Sequence, residues 1–134
     1  MTRVWERRRW IRSRDVTDVN RVMVLGNVGR EPEIRYTANG SANCELSVAV
    51  NHNYKKGDDW QKETEWFTVV CWNKTAEHVS QNVGKGDRVY VEGRLKTRSW
   101  EDKEGNKRYK TELIADRVLL QSSGTSKTRE DVAA

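Results

Sequence analysis

Strict alternation of side chains in two neighbouring runs confines this chain to a sheet with one covered face. In Cys44–Val50, Cys44, Leu46, Val48 and Val50 alternate with Glu45, Ser47 and Ala49. In Glu63–Trp72, Phe67, Val69 and Cys71 alternate with Thr64, Trp66, Thr68, Val70 and Trp72. Successive residues of a strand point to opposite faces, so each run has an apolar row suited to a core. The second run also sets two tryptophans on the face turned away from that core. A third run, Val89–Trp100, aims Val89, Val91, Gly93 and Leu95 one way and Arg94, Lys96, Arg98 and Trp100 the other. Flat aromatics beside a row of cations are what unpaired bases and phosphates require. The competing reading is that the tryptophans pack against another element or subunit.

The 134 residues are 34% charged and 35% hydrophobic, with a mean hydropathy of −0.94. So polar a chain builds a small core, which favours a thin barrel or sandwich over a doubly wound α/β fold with fully apolar strands. No apolar run is long enough to span a bilayer, and the amino terminus lacks the apolar centre of a secretory signal. The net charge of +5 suits a polyanion partner. Much of it is local: residues 1–18 hold six arginines against three acids, while the other 116 residues hold 19 basic and 17 acidic side chains. A nucleic-acid site must therefore come from placement rather than bulk charge. Cys44 and Cys71, both on predicted core faces, read as buried thiols; two cysteines make neither a disulfide framework nor a zinc site.

In chain order, residues 1–18 read as a basic extension, either an arm adding phosphate contacts, an incidental upstream segment, or an organellar targeting sequence. Residues 19–120 read as one domain. Its first strand, from Val19, carries Val22 and Val24 on one face and Met23 and Leu25 on the other, so both faces are expected to be at least partly covered. Arg30-Glu31-Pro32 and Asn39-Gly40 are turns around a short strand, Glu33–Tyr36. Asn51–Lys62 reads as a loop with Lys55 and Lys56 at its tip and Tyr54 and Trp60 flanking it. Asn73–Val83 is the one helix, with Asn73 as N-cap and Gly84 at the left-handed C′ position. A charged hairpin tip, Glu101–Asn106, precedes a last strand over residues 108–120, and residues 121–134 read as a disordered tail. A small antiparallel barrel with its single helix between the late strands is the pattern of an all-β, five-stranded OB-fold Greek-key barrel with long β-hairpin loops.

The segments V-N-R-V-M-V-L-G-N-V-G-R-E-P-E-I-R-Y (19–36), T-E-W-F (64–67) and K-G-D-R-V-Y-V-E-G-R-L-K-T-R-S-W (85–100) resemble the bacterial and mitochondrial single-stranded DNA-binding proteins. The resemblance runs in order over about residues 19–120. It implies an OB barrel, commonly a homotetramer, that binds single-stranded DNA in replication, recombination and repair, in the bacterial cytoplasm and nucleoid or in a mitochondrion. It implies no catalysis and no metal or cofactor. Position by position, Trp66 and Trp100 match stacking tryptophans; Tyr54 stands where tryptophan is familiar and Trp72 where phenylalanine is, and both keep a π-face. Lys74, Lys85, Lys96 and Arg98 match basic positions, while Ser99 replaces a residue that is often basic. Arg21, Lys55, Lys56 and Arg94 are further candidate phosphate contacts. The family's acidic, apolar-tipped carboxyl terminus, which recruits replication and repair proteins, is not matched by Arg129–Ala134, so the expectation is either a truncated chain or a branch without that tip, such as an organellar or phage-like form.

An enzyme is the reading from another class, since metal-assisted cleavage needs converging carboxylates. Asp58 and Asp59 lie in one predicted turn and Asp102 and Glu104 in another, where carboxylates are usually solvated. His52 and His78 are far apart in sequence and adjoin no nucleophile. A protein-interaction module using the same barrel face is the third reading.

Overall fold

Among the described residues, hydrogen bonding of the alternating runs gives six strands and one helix. A computed structural model describes residues 18–122, so the expectations for residues 1–17 and 123–134 lie outside the described residues. The strands are β1 (Val22–Val28), β2 (Glu33–Tyr36), β3 (Ala42–Lys56), β4 (Asp59–Trp72), β5 (Arg88–Glu101) and β6 (Lys107–Ser122), with α1 (Asn73–Asn82) between β4 and β5. They lie in the order β1-β5-β6-β4-β3-β2, and pairing of β1 with β3 closes β1, β5, β6, β4 and β3 into a five-stranded barrel. This is the expected OB architecture. The short β2 runs beside the first half of β3, outside the closure.

The inward rows meet as the alternation predicts. Leu46, Val48, Val69, Val89, Val91 and Leu113 are fully buried, and Ala76 and Val79 of α1 join them. Burying each such large aliphatic side chain stabilises the fold by roughly 1.5–3 kcal/mol. Cys44 and Cys71 are cross-strand partners in this core and both are free. Burial pushes the Cys71 thiol up to about 12 and raises Cys44 as well, with Glu45 adding to the effect. At two glycines the backbones of neighbouring strands crowd. A Cβ on Gly26 would stand 2.3 Å from the Ala49 carbonyl oxygen, and one on Gly93 only 2.0 Å from that of Ile114.

Several local expectations are corrected. The segment 51–62 is not a loop: β3 and β4 stay paired out to Lys56 and Asp59, forming a hairpin that projects from the barrel. Asn73 is not the N-cap. Trp72 holds that position in extended conformation, and Asn73 itself turns the chain at φ 52°, a left-handed geometry asparagine tolerates. Gly84 is not left-handed; its missing Cβ leaves room for the Glu31 carboxylate, 2.9 Å from where a Cβ would lie. The helix ends at Asn82, and β6 extends through Gln121 and Ser122, which were expected in the tail. The outer face of β1 is not covered: Met23 is 66% exposed, and Leu25 also faces solvent. Leu95, expected inward, is exposed, whereas Val70, on the tryptophan face, is buried.

Candidate nucleic-acid interface

On the outer surface of β3, β4, β6 and the distal half of β5, predicted aromatics and cations meet. On β4, Trp66, Thr68, Val70 and Trp72 project outward; on β5, Arg94, Lys96, Arg98 and Trp100 do so, with β6 between. A groove of about 290 Å³ runs between them. Val70 and Ile114 line it with apolar surface, Trp72 stands at one side, and Lys96 and Arg98 at the other. This explains the burial of Val70: neighbouring side chains rise around it. Asn43 and Glu45 also line a second depression of about 360 Å³ beside β2, where they are joined by Arg30 and Arg35.

Each aromatic has a local reason for its position. The Trp66 ring lies on the backbone of Gly29, where a Cβ would fall 2.5 Å from its Cζ3 and 2.9 Å from its Cη2. Its cross-strand partner is the small Ala49. With one face seated on glycine, the indole is still 59% exposed. The guanidinium of Arg98 lies 4.8 Å from the centre of the Trp100 ring, and its Nε donates to Glu112 Oε1 at 3.0 Å. Glu112 is nearly buried. A desolvated carboxylate of this kind needs a charged partner, and the pairing fixes the arginine against the ring.

The predicted cations are not all alike. Arg94 and Lys96 are exposed on the groove side of β5 and Arg98 beside them is shared with Glu112. Lys74 is exposed in the first turn of α1, two residues after Trp72. Lys85 is exposed at the turn into β5. That turn is tied to the seat of Trp66: the Lys85 amide donates to Glu31 Oε1 at 2.9 Å and the Gly86 amide to the Val28 carbonyl at 2.8 Å. Arg21 is held elsewhere, pairing with Glu92 and, at 3.3 Å, with Asp116. Tyr90 donates to Glu92 at 2.8 Å; that bond raises the Tyr90 hydroxyl and, together with Arg21, holds the Glu92 carboxyl below its ordinary value. Lys55 and Lys56 sit at the tip of the β3–β4 hairpin. Tyr54, 40% exposed and stacked on His52 with ring centroids 6.4 Å apart, does not share the face of Trp66, because its register partner is Gln61 rather than an outward residue of β4.

Sequence reading missed Glu45 and Glu112. Glu45 receives Arg30 at 3.1 Å and Lys110 at 3.9 Å. Both acids lie on outward rows, where a carboxylate reads as solvated surface, and only the tertiary pairing gives them partners. Arg30, Arg35 and Lys110 were also passed over. The carboxylates considered for catalysis do not converge: Asp102 accepts the Glu104 and Asn106 amides and Arg108 Nε, far from Asp58 and Asp59 at the other hairpin tip. Among the described residues no three His, Cys, Asp or Glu side chains group as metal ligands. No helix among them is long and apolar enough to cross a membrane.

Known proteins are similar to this chain in sequence and architecture. The family model described as the single-strand binding protein family matches residues 19–121. The single-stranded DNA-binding protein of Treponema pallidum is 43% identical over 108 residues, covering 81% of this chain and 61% of the relative's length. Single-stranded DNA-binding protein 1 of Xylella fastidiosa is 43% identical over 107 residues, covering 78% of this chain and 79% of the relative. Among solved structures, the Plasmodium falciparum SSB complex with ssDNA superposes with a TM-score of 0.73 at 25% identity, over 80% of this chain and 98% of that one. With the match spanning the whole barrel, this chain belongs to the single-strand binding protein family.

Proposed function

We propose that this protein binds single-stranded DNA with little regard to sequence and shields it during replication, recombination and repair, without cleaving it. The observation that carries this reading is the groove in which Trp72, Lys96 and Arg98 surround an apolar floor of Val70 and Ile114, flanked by the exposed rings of Trp66 and Trp100. Every base has a π-face, so these rings accept whichever base arrives, each stack contributing about 1–3 kcal/mol. Arg94, Lys96, Arg98, Lys74 and Lys85 neutralise phosphates; Lys55, Lys56 and Arg21 are more remote contributors. The names of the relatives and of the superposed complex support the same ligand.

The barrel acts as a homotetramer, a reading supported by the solvent-facing Met23, Leu25 and Leu119 on β1 and β6, the two strands that flank β5. Its setting is the bacterial cytoplasm and nucleoid. Titration with oligo-dT tests the function: tryptophan fluorescence is quenched to a stoichiometric end point, and Trp66→Ala and Trp100→Ala each lower affinity. Unchanged affinity in both variants would remove the stacking role and leave the face as a protein interface. The binding constant falls with salt at a log–log slope near −0.7 per contacted phosphate. Labelled strands incubated with Mg²⁺ stay full length; shortened products would reinstate the enzymatic reading.

A further inference from the structure

We propose that Trp60 is the stacking aromatic of the β3–β4 hairpin and that, with Lys62, it carries the DNA-binding face outward from the barrel. The inference rests on the single-stranded DNA reading above and concerns where that surface ends.

Cross-strand partners share a face of a sheet. Following the register out from Ala49↔Trp66, the next outward pairs are Asn51↔Thr64, Asn53↔Lys62 and Lys55↔Trp60. Trp60 therefore stands in line with Trp66, six residues along β4, with Lys62 between them. At a strand rise of about 3.3 Å per residue the two rings are separated by roughly 20 Å, a distance a bound strand must cross if it leaves the barrel along the hairpin. Trp60 is 70% exposed, more than Trp66, Trp72 or Trp100. Among the described residues no ring or cation lies against it, so nothing among them accounts for placing an indole there. It borders an open depression of about 440 Å³ with Asn53, Gln61 and Lys62.

Charge separates the two faces of the hairpin independently of the tryptophan. The outward rows hold Lys55 and Lys62 and no carboxylate. The opposite rows pair His52↔Glu63 and Val50↔Glu65 next to Tyr54, and end in Lys56↔Asp59. Three carboxylates against one lysine make that side repel phosphate, while the outward side attracts it. A polyanion with exposed bases thus meets cations and an uncovered π-face on the Trp60 side, and meets acids on the Tyr54 side. Tyr54 is the aromatic that the family pattern nominated; the register and the charges favour Trp60.

The test is affinity for dT oligomers of increasing length, followed by fluorescence anisotropy of a labelled strand, with sizing of each variant. Trp60→Ala weakens binding of long oligomers by about five- to hundredfold, the range of one lost base stack, and the loss shrinks as the oligomer shortens. Trp60→Phe recovers most of it, and Tyr54→Ala costs less than Trp60→Ala. Lys62→Ala reduces the salt slope by about 0.7. If Trp60→Ala matches the wild type at every length while Trp66→Ala still loses affinity, the proposal fails and the barrel reading stands. If neither variant loses affinity, both readings fail. A changed oligomeric state in Trp60→Ala would assign the ring to a contact between copies and overturn the proposal.

Discussion

The two long hairpins look alike in sequence, each closing on a short charged tip with a glycine, yet they are anchored differently. At the β5–β6 tip a single carboxylate gathers the turn. Asp102 accepts the Glu104 amide at 3.0 Å, the Asn106 amide at 2.8 Å and Arg108 Nε at 2.9 Å. Its own amide donates to the Asn106 carbonyl at 2.9 Å. Further down, Thr97 and Thr111 share a hydroxyl hydrogen bond, and Arg98 binds Glu112. The β3–β4 tip has only the left-handed Gly57 to turn it, at φ 65°, and its nearest side-chain hydrogen bond is Thr64 to Asn51, well back from the turn. Trp100 is thus held at a fixed station, whereas Trp60 and Tyr54 ride on a ladder secured mainly by its backbone. One hairpin presents a preset surface and the other an adjustable one.

Three perturbations probe this contrast, in decreasing order of effect. Gly93→Ala strikes the root of the anchored hairpin, where the added Cβ would lie 2.0 Å from the Ile114 carbonyl oxygen. It costs at least about 3 kcal/mol, read as a lower urea midpoint at unchanged slope. Asp102→Asn acts at the tip. The Asn106 amide, Arg108 and the Glu104 amide hold the Asp102 carboxyl below its ordinary value. Its contribution is therefore fully present above the unfolded carboxylate value of about 4 and is lost as pH falls through the lower folded one. Melting curves across this acid range show the wild type ahead above about pH 4 and converging with the variant below it; parallel curves throughout would make the tip network irrelevant to stability. A two-residue insertion between Gly57 and Asp58 lengthens the unanchored tip and shifts stability by only about 0.6 kcal/mol. A loss comparable to that of Gly93→Ala would mean that the two tips are equally tied down.

What the sequence made legible follows from where a core exists to impress a pattern. Cys44–Val50 and Phe67–Cys71 each have a barrel interior to face, and their alternation located both strands and the tryptophan face. Asn51–Lys62 has no interior on either side. Its pairing is complete while its hydrophobic period is absent, so it read as a loop, and the opposition of Tyr54 and Trp60 stayed hidden. The β6 bulges, which leave Asp116 and Gln121 without cross-strand partners, shift the inward row from Leu113 and Ala115 to Val118; period-two reading cannot carry across such a shift. Glu112 was unreadable for a third reason, since nothing local to it announces Arg98.

Gly29 donates its amide to the Ser47 carbonyl at 2.8 Å, a bond almost any residue could make, and it is not among the left-handed glycines. The barrel makes no demand for glycine there. The demand comes from the Trp66 ring resting on it, so position 29 is a place where selection for what the surface holds can be separated from selection for folding. Side chains introduced there tilt the indole and leave the sheet beneath it intact, giving a dial for the recognition surface that leaves the scaffold alone.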